Sequence, residues 1–242
     1  MMRKRSICLI ILSCLLSDPL IAQNAGIWVV SVGGGTVWTK AGKTQTLFLA
    51  PEIENTYAAK KSISSTGAGE LFIGMEKVLS NILRGQLGLS GAVMGTARLG
   101  GEIWDDADPQ FNNHRYHYRI NHQHIAVQGK LLLNKETGFI PWISSGIGVS
   151  FNQAHEFSNK SLSCGVFPVP DFNANQQTAL ALTLGAGLQK ILNRHWQIGG
   201  GYTLADWGKS RLGRAEGQSM NSGLKLNHLI AQGILFNLTY IG

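Results

Sequence analysis

The chain has 242 residues, of which 14% are charged, and a formal net charge of +7. The excess is mild and contains no basic run of five or more, which argues against a nucleic-acid partner. No segment reaches the 18 or so consecutive apolar residues of a membrane-spanning helix, which excludes an ordinary helical membrane protein. The N-terminus reads as a secretory signal peptide. Arg3, Lys4 and Arg5 precede the apolar run Ile7 to Leu16, and small residues follow at Ala22 and Ala25. Cleavage near Ala22 predicts a leader at 1–22 and a single mature domain at 23–242. The leader's Arg3, Lys4, Arg5 and Asp18 take away a net +2. A lipoprotein reading, with Cys14 as the lipidated residue, fits the flanking Ile11, Leu12 and Ser13 loosely. Cys164 is then the sole mature cysteine, so no internal disulfide can staple the fold.

The mature chain alternates at a period of two, the period of a β-strand. A first strand is predicted over 27–39, with Trp28, Val30 and Val32 on one face. Residues 41–65 read as a long polar loop with a strand-like core at 47–57. A second strand, 67–77, puts Leu71, Ile73 and Met75 outward and Glu70 and Glu76 inward, and a short link leads into 83–102. There every odd position is apolar or glycine, while Arg84, Gln86, Ser90, Thr96, Arg98 and Glu102 occupy even ones. Six glycines, each costing a helix interior roughly 1 kcal/mol, rule against a helix.

A polar loop rich in Asp and Asn is predicted at 104–115. The fourth strand, 116–133, carries Ile125, Val127 and Leu131 on one face and His122, His124, Gln128 and Lys130 on the other. After a tight turn at 134–138 come a fifth strand, 139–152, and a long connection, 155–176. A sixth strand, 177–190, a short turn, 192–195, and a seventh strand, 196–206, follow. A glycine-containing loop, 208–222, precedes a last strand, 224–241. On this eighth strand Gln232 falls among the outward apolar residues as a misfit. The eight strands have short connections after the second, fourth and sixth and long ones after the others, the layout of an outer-membrane barrel with its loops outside. The predicted fold is therefore all-β, an eight-stranded antiparallel up-and-down transmembrane β-barrel. Trp28, Phe139, Trp142, Trp196 and Tyr240 stand near strand ends, where aromatic girdles lie.

This layout resembles the eight-stranded OmpA-like or opacity-type outer-membrane barrels of Gram-negative bacteria. The ending Gly233-Ile-Leu-Phe-Asn-Leu-Thr-Tyr240 resembles their assembly signal, with Gly233, Phe236, Leu238 and Tyr240 in matching places. It departs by finishing on Ile241-Gly242 and by Ala231 where a polar residue is usual. The resemblance implies Sec-type export, recognition by the barrel assembly machinery, monomeric insertion into the outer membrane, and contact with its lipid and lipopolysaccharide. Full-length OmpA carries a further peptidoglycan-binding domain, and that function does not carry over. A structural or surface-interaction role, through long loops that meet host or environmental ligands, is the leading expectation. A small porin-like channel is the alternative.

No residues are assigned to catalysis, to a cofactor or to a metal. Glu70, Glu76, Arg84, Arg98, Glu102 and Lys130 are predicted to face a narrow lumen and to pair there as a plug, because buried charge must be compensated. His114, His117, His122 and His124 lie close in sequence but lack a completing ligand at a recognised spacing. Asp105 and Asp106 resemble one half of an omptin-type protease site, whose His–Asp half is not apparent beside Asp206. A lipid A deacylase would need a His-x-Ser pair, and none is found. Cys164 reads as an inert loop thiol. A soluble lipocalin-like barrel, with its apolar face inside, is the remaining architectural alternative.

Overall fold

The computed structural model describes residues 26–40, 42–61, 63–133, 138–166 and 168–242; the predicted leader lies outside them. Among the described residues twelve strands form: β1 (Ile27–Lys40), β2 (Gln45–Ala50), β3 (Ile53–Ala59), β4 (Ile63–Ser80), β5 (Leu83–Asp105), β6 (Asn112–Leu133), β7 (Phe139–Ser161), β8 (Asn175–Ile191), β9 (Trp196–Asp206), β10 (Ser210–Arg211), β11 (Lys225–Leu226) and β12 (Ile230–Ile241). Eight are barrel staves. β1 pairs antiparallel with β4, and the ladder passes in order through β5, β6, β7, β8, β9 and β12. β12 returns to β1, from Val29↔Ile241 to Thr39↔Ala231. Closure leaves no free edge across the lipid, the condition for a sheet to span it.

An apolar girdle wraps the outside, including Leu71 and Ile73 on β4, Leu87, Leu89 and Val93 on β5, Ile125 and Val127 on β6, Ile143 and Ile147 on β7, and Phe236 on β12; all are exposed. A soluble barrel turns this face inward, so the lipocalin-like alternative fails. Gln232 is accommodated on the outer face, where the Tyr202 hydroxyl donates to its Oε1 at 2.8 Å. Trp28, Phe139, Trp196 and Tyr240 sit outward at the short-turn end as expected. Trp142 does not. It shares the inward phase of Ile140 and Ser144, and its ring lies against Gly187 and Gly201, whose missing side chains make room for it.

β4 to β7 outrun their predicted lengths at the long-loop end, whereas the last strand, expected from 224, begins only at Ile230. β5 and β7 are 23 residues each and β6 is 22, about twice what crosses hydrocarbon. Half of the polar segment expected as a loop at 104–115 is strand: Glu102↔Arg115 and Ile103↔His114 still pair, and the reversal is made at 106–111, with a 3-10 turn at Pro109–Phe111. Likewise β7 continues to Ser161 where the sequence suggested an end at 152. Polar composition reads as loop, but an edge extending above a membrane can be polar and fully paired. The strand-like core of the first loop is the β2–β3 hairpin, and β3 joins the top of β5 from Asn55↔Asp105 to Ala59↔Gly101.

Two bulges set which face each strand presents. Between Met94 and Ala97, β5 advances three residues while β6 advances two, from Met94↔His122 to Ala97↔Ile120. Below the bulge even positions face in, as at Ser90 and Met94; above it odd positions do, and Ala97, Leu99 and Ile103 are 0 to 2% exposed. β7 does the same around Glu156, whose φ is +52°, so that inward Ala154 is followed by inward Phe157. A one-residue shift moves every later side chain to the other face. The apolar face meets lipid in the girdle and turns to the core above it, where water replaces lipid.

A candidate site in the lumen

Side chains enter the lumen at several levels. At the short-turn end the Arg84 guanidinium donates to Glu76 Oε1 at 2.9 Å and Gln86 Nε2 to Glu76 Oε2 at 2.7 Å. Glu76 and Arg84 are 5% and 15% exposed. Lys130 Nζ donates to Gln189 Oε1 at 2.6 Å and lies 4.6 Å from the centre of the Trp142 ring. Gln189 passes the bond on to Gln197. Glu70 accepts from Gln128 and lies in the field of Lys130. Four of the six charges expected in the lumen, Glu70, Glu76, Arg84 and Lys130, are therefore there; amides meet Glu70, Glu76 and Lys130, while Nε and Nη2 of Arg84 have no hydrogen-bond partner among the described residues.

Arg98 and Glu102 are not. The β5 bulge puts both on the outer wall above the girdle, where Arg98 is exposed and Glu102 accepts from Asn112 Nδ2 at 2.8 Å. An uninterrupted period of two had assigned them to the lumen, and the extra residue at 95–96 reverses that assignment.

Above the charged layer lies a cavity of about 100 Å³, lined among others by Glu70, Gln128, Lys130, Trp142, His122 and Trp207. Its roof is a polar relay. Asn152 Nδ2 donates to the carbonyls of Trp207 and Lys209, both at 2.8 Å, so its Oδ1 must accept from His122 Nδ1 at 2.7 Å. That leaves His122 Nε2 to accept from His124 Nδ1 at 2.9 Å, which fixes the tautomer of both neutral rings. Trp207 stacks on His122 with centroids 3.8 Å apart, and the Ser150 hydroxyl also holds its carbonyl, at 2.8 Å.

The segment following β9 thus folds into the barrel mouth. There Leu212, Leu224, Leu226 and Leu229 join Tyr57, Tyr116, Phe157 and Phe172 in an apolar cap. Burial pushes the phenols of Tyr57, Tyr116 and Tyr118 well above their ordinary value. Asn152, Ser150, Gln189 and Gln197 were visible on inward phases of their strands but carried no charge to mark them. Trp207 sits in a loop, where no periodicity could find it.

Among the described residues no cluster of three or more His, Cys, Asp or Glu could hold a metal. His122 and His124 share the lumen face, whereas His117 lies exposed on the outer wall and His114 is buried 3.9 Å from Asp105. The Asp206 carboxylate meets His228 Nδ1 at 2.7 Å, a His–Asp pair that a separation of 22 residues had hidden. Asp105 is engaged instead by Asn113 at 2.7 Å. Cys164 is exposed with a free thiol. Gly233, Phe236, Leu238 and Tyr240 lie on β12, the last three pointing outward.

No family model matches the sequence, and no curated protein matches it. Solved structures do. Neisserial surface protein A is similar at 10% identity and TM-score 0.45, over 89% of this chain and 97% of its own. The outer membrane protein OprG of Pseudomonas aeruginosa is similar at 11% and 0.42, over 91% and 98%. The attachment invasion locus protein Ail of Yersinia pestis is similar at 12% and 0.36, over 90% and 99%. At such values the fold rests on the strand register itself. Eight antiparallel staves in chain order, closed by β1 on β12 and belted by exposed apolar side chains, make this an all-β up-and-down transmembrane β-barrel, the architecture implied by the resemblance to OmpA-like and opacity-type barrels.

Proposed function

We propose that the protein is an integral outer-membrane barrel of a Gram-negative bacterium that serves as a non-conducting surface platform, presenting its long-loop end to host or environmental ligands. One observation carries the reading: the bore is occupied at successive levels by the Glu76–Arg84 pair, the Trp142 ring with Lys130, and the His122–Trp207 stack. An eight-stranded interior is just wide enough for side chains to fill. The Gly233 to Tyr240 segment would serve the assembly machinery. No enzymatic role is assigned.

The cavity of about 100 Å³ between these levels favours the second reading, a small solute or ion channel. Planar-bilayer recording separates the two. Wild-type protein should show no single-channel steps and cause no swelling of sugar-loaded liposomes, whereas the Arg84→Ala/Trp142→Ala double variant should conduct. Steps from the wild type would establish the channel. Outer-membrane fractionation and faster gel mobility of the unheated protein test the location and the barrel.

A further inference from the structure

Near the top of the barrel the register carries Tyr57, Ile103, His114 and Ser161, of β3, β5, β6 and β7, on one row of the inner face. His114 is wholly buried, while Ser161, at the end of β7, is exposed. The Ser161 Oγ lies 3.3 Å from His114 Nδ1. On the other side of the ring, Nε2 faces Asp105 Oδ2 at 3.9 Å and has no hydrogen-bond partner among the described residues. Asp105 is itself positioned, its Oδ2 accepting from Asn113 Nδ2 at 2.7 Å.

A neutral imidazole carries one proton. With Nδ1 accepting from the Ser161 hydroxyl, that proton sits on Nε2, toward the Asp105 carboxylate. A buried ring nitrogen without a bond destabilises the fold, and an apolar residue beside Ile103 and Tyr57 would avoid this. Packing therefore does not explain the histidine. An exposed hydroxyl, a buried base and a carboxylate in that order are the nucleophile, base and orienting group of a serine hydrolase, which is recognised by geometry and role rather than by sequence position. Contacts of this kind are often loose until substrate binds. A donor for the developing negative charge is also at hand. The Leu162 N–H donates to the Asn113 carbonyl at 2.7 Å, so by strand alternation Ser161 turns its own N–H to the opposite edge of β7. That edge is free of β8, whose pairing ends at Ala154↔Asn175. The comparison on the outer wall is Ser158, whose Oγ lies 3.2 Å from His117 Nε2; among the described residues no carboxylate pairs with that ring.

We infer that Ser161, His114 and Asp105 form a hydrolytic site for short-chain carboxylic esters at the long-loop rim. The inference goes beyond the platform reading, which assigns no chemistry. His114 stands eleven residues up β6 from Ile125, roughly 30 Å along the membrane normal, so the ester comes from solution and not from the bilayer. Exposed Leu162, next to the nucleophile, and exposed Phe111, in the turn before β6, offer apolar surface to the acyl group. His114 Nδ1 takes the Ser161 proton as Oγ bonds to the ester carbonyl carbon. It returns that proton to the alkoxide oxygen as the C–O bond breaks and the alcohol leaves. Water then attacks the acyl-serine, its proton passing to Nδ1 and on to Ser161 Oγ as the carboxylic acid departs.

The full-length barrel, folded in detergent, is treated with a fluorophosphonate, which phosphonylates an activated serine with loss of fluoride. Peptide mass spectrometry locates the adduct, and hydrolysis of p-nitrophenyl butyrate is followed alongside. The wild type should carry one adduct, on Ser161, and turn over the ester; Ser161→Ala should lose both. His114→Gln should slow labelling on the order of 100-fold or more, the worth of a general base. Asp105→Asn should slow it by about tenfold or more, while Ser158→Ala should label like the wild type. Unheated gel mobility reports whether each variant is still a closed barrel. Asp105 is partly exposed, so Asp105→Asn decides the matter where His114→Gln does not close. A closed wild-type barrel that takes no label, an adduct on Ser158 or another serine, or hydrolysis undiminished in Ser161→Ala overturns the proposal. So does an Asp105→Asn variant that labels as fast as the wild type.

Discussion

Glu76 is the residue on which the lower lumen turns, since its two oxygens take Arg84 and Gln86. Glu76→Gln leaves Arg84 buried without a countercharge, and loss of one partner of a buried pair costs about 3–5 kcal/mol. Urea unfolding of the detergent-folded barrel should show that loss. The Glu76→Leu/Arg84→Met variant, which removes both charges, should recover most of it; a double variant as weak as the single one would show that packing, and not the unpaired charge, is at fault. Charged residues of this layer were legible from alternation alone, because a charge on an inward phase is conspicuous. Gln86, Gln189 and Gln197 complete the same network, yet an amide on a strand is unremarkable until its neighbours across the ladder are known.

Among the elements, β5 shows how much one residue decides. Its odd positions are apolar from Leu83 to Ile103, so a single face seemed to run its whole length. The bulge after Met94 uses that one pattern twice, against lipid below and against the cap above. Deleting Gly95 and Thr96 together should join Met94 to Ala97 in one unbroken alternation, exposing Leu99 and Ile103 and driving Arg98 and Glu102 inward. Burial of each apolar side chain is worth about 1.5–3 kcal/mol. Hydrogen exchange should then lose protection in the β5–β6 ladder above Ile120 while the girdle below Met94 stays protected. Unchanged protection above Ile120 would mean that the wall tolerates either register. No residue type near Gly95 and Thr96 announces the shift; it follows from where the lipid ends, which is a property of the assembled barrel.

The whole molecule divides into a lipid-belted barrel and an apolar cap set in its mouth, and alkali should separate the two. In the fold the phenols of Tyr57, Tyr116 and Tyr118 hold their protons above the ordinary value of 10. Above that pH the unfolded cap binds fewer protons than the folded one, so its stability is complete below pH 10 and falls as pH rises further. Tyrosinate absorbance at these positions, followed with Tyr→Phe variants, should appear together with new protease sites in the loops, while unheated gel mobility still reports a closed barrel. Ionisation without loosening would show that the phenols reach water in the folded cap.

What the sequence determined by itself was the stave count, the short connections after β4 and β8, the lipid-facing girdle and four of the lumen charges. All of these follow from a period of two read against one apolar environment. Only the tertiary structure decided the rest. The bulges reverse faces where lipid gives way to water, Trp142 turns inward because glycines on the next two strands leave it room, and Trp207 enters the mouth to close on His122. Each depends on residues of different strands that become neighbours only when the ladder forms.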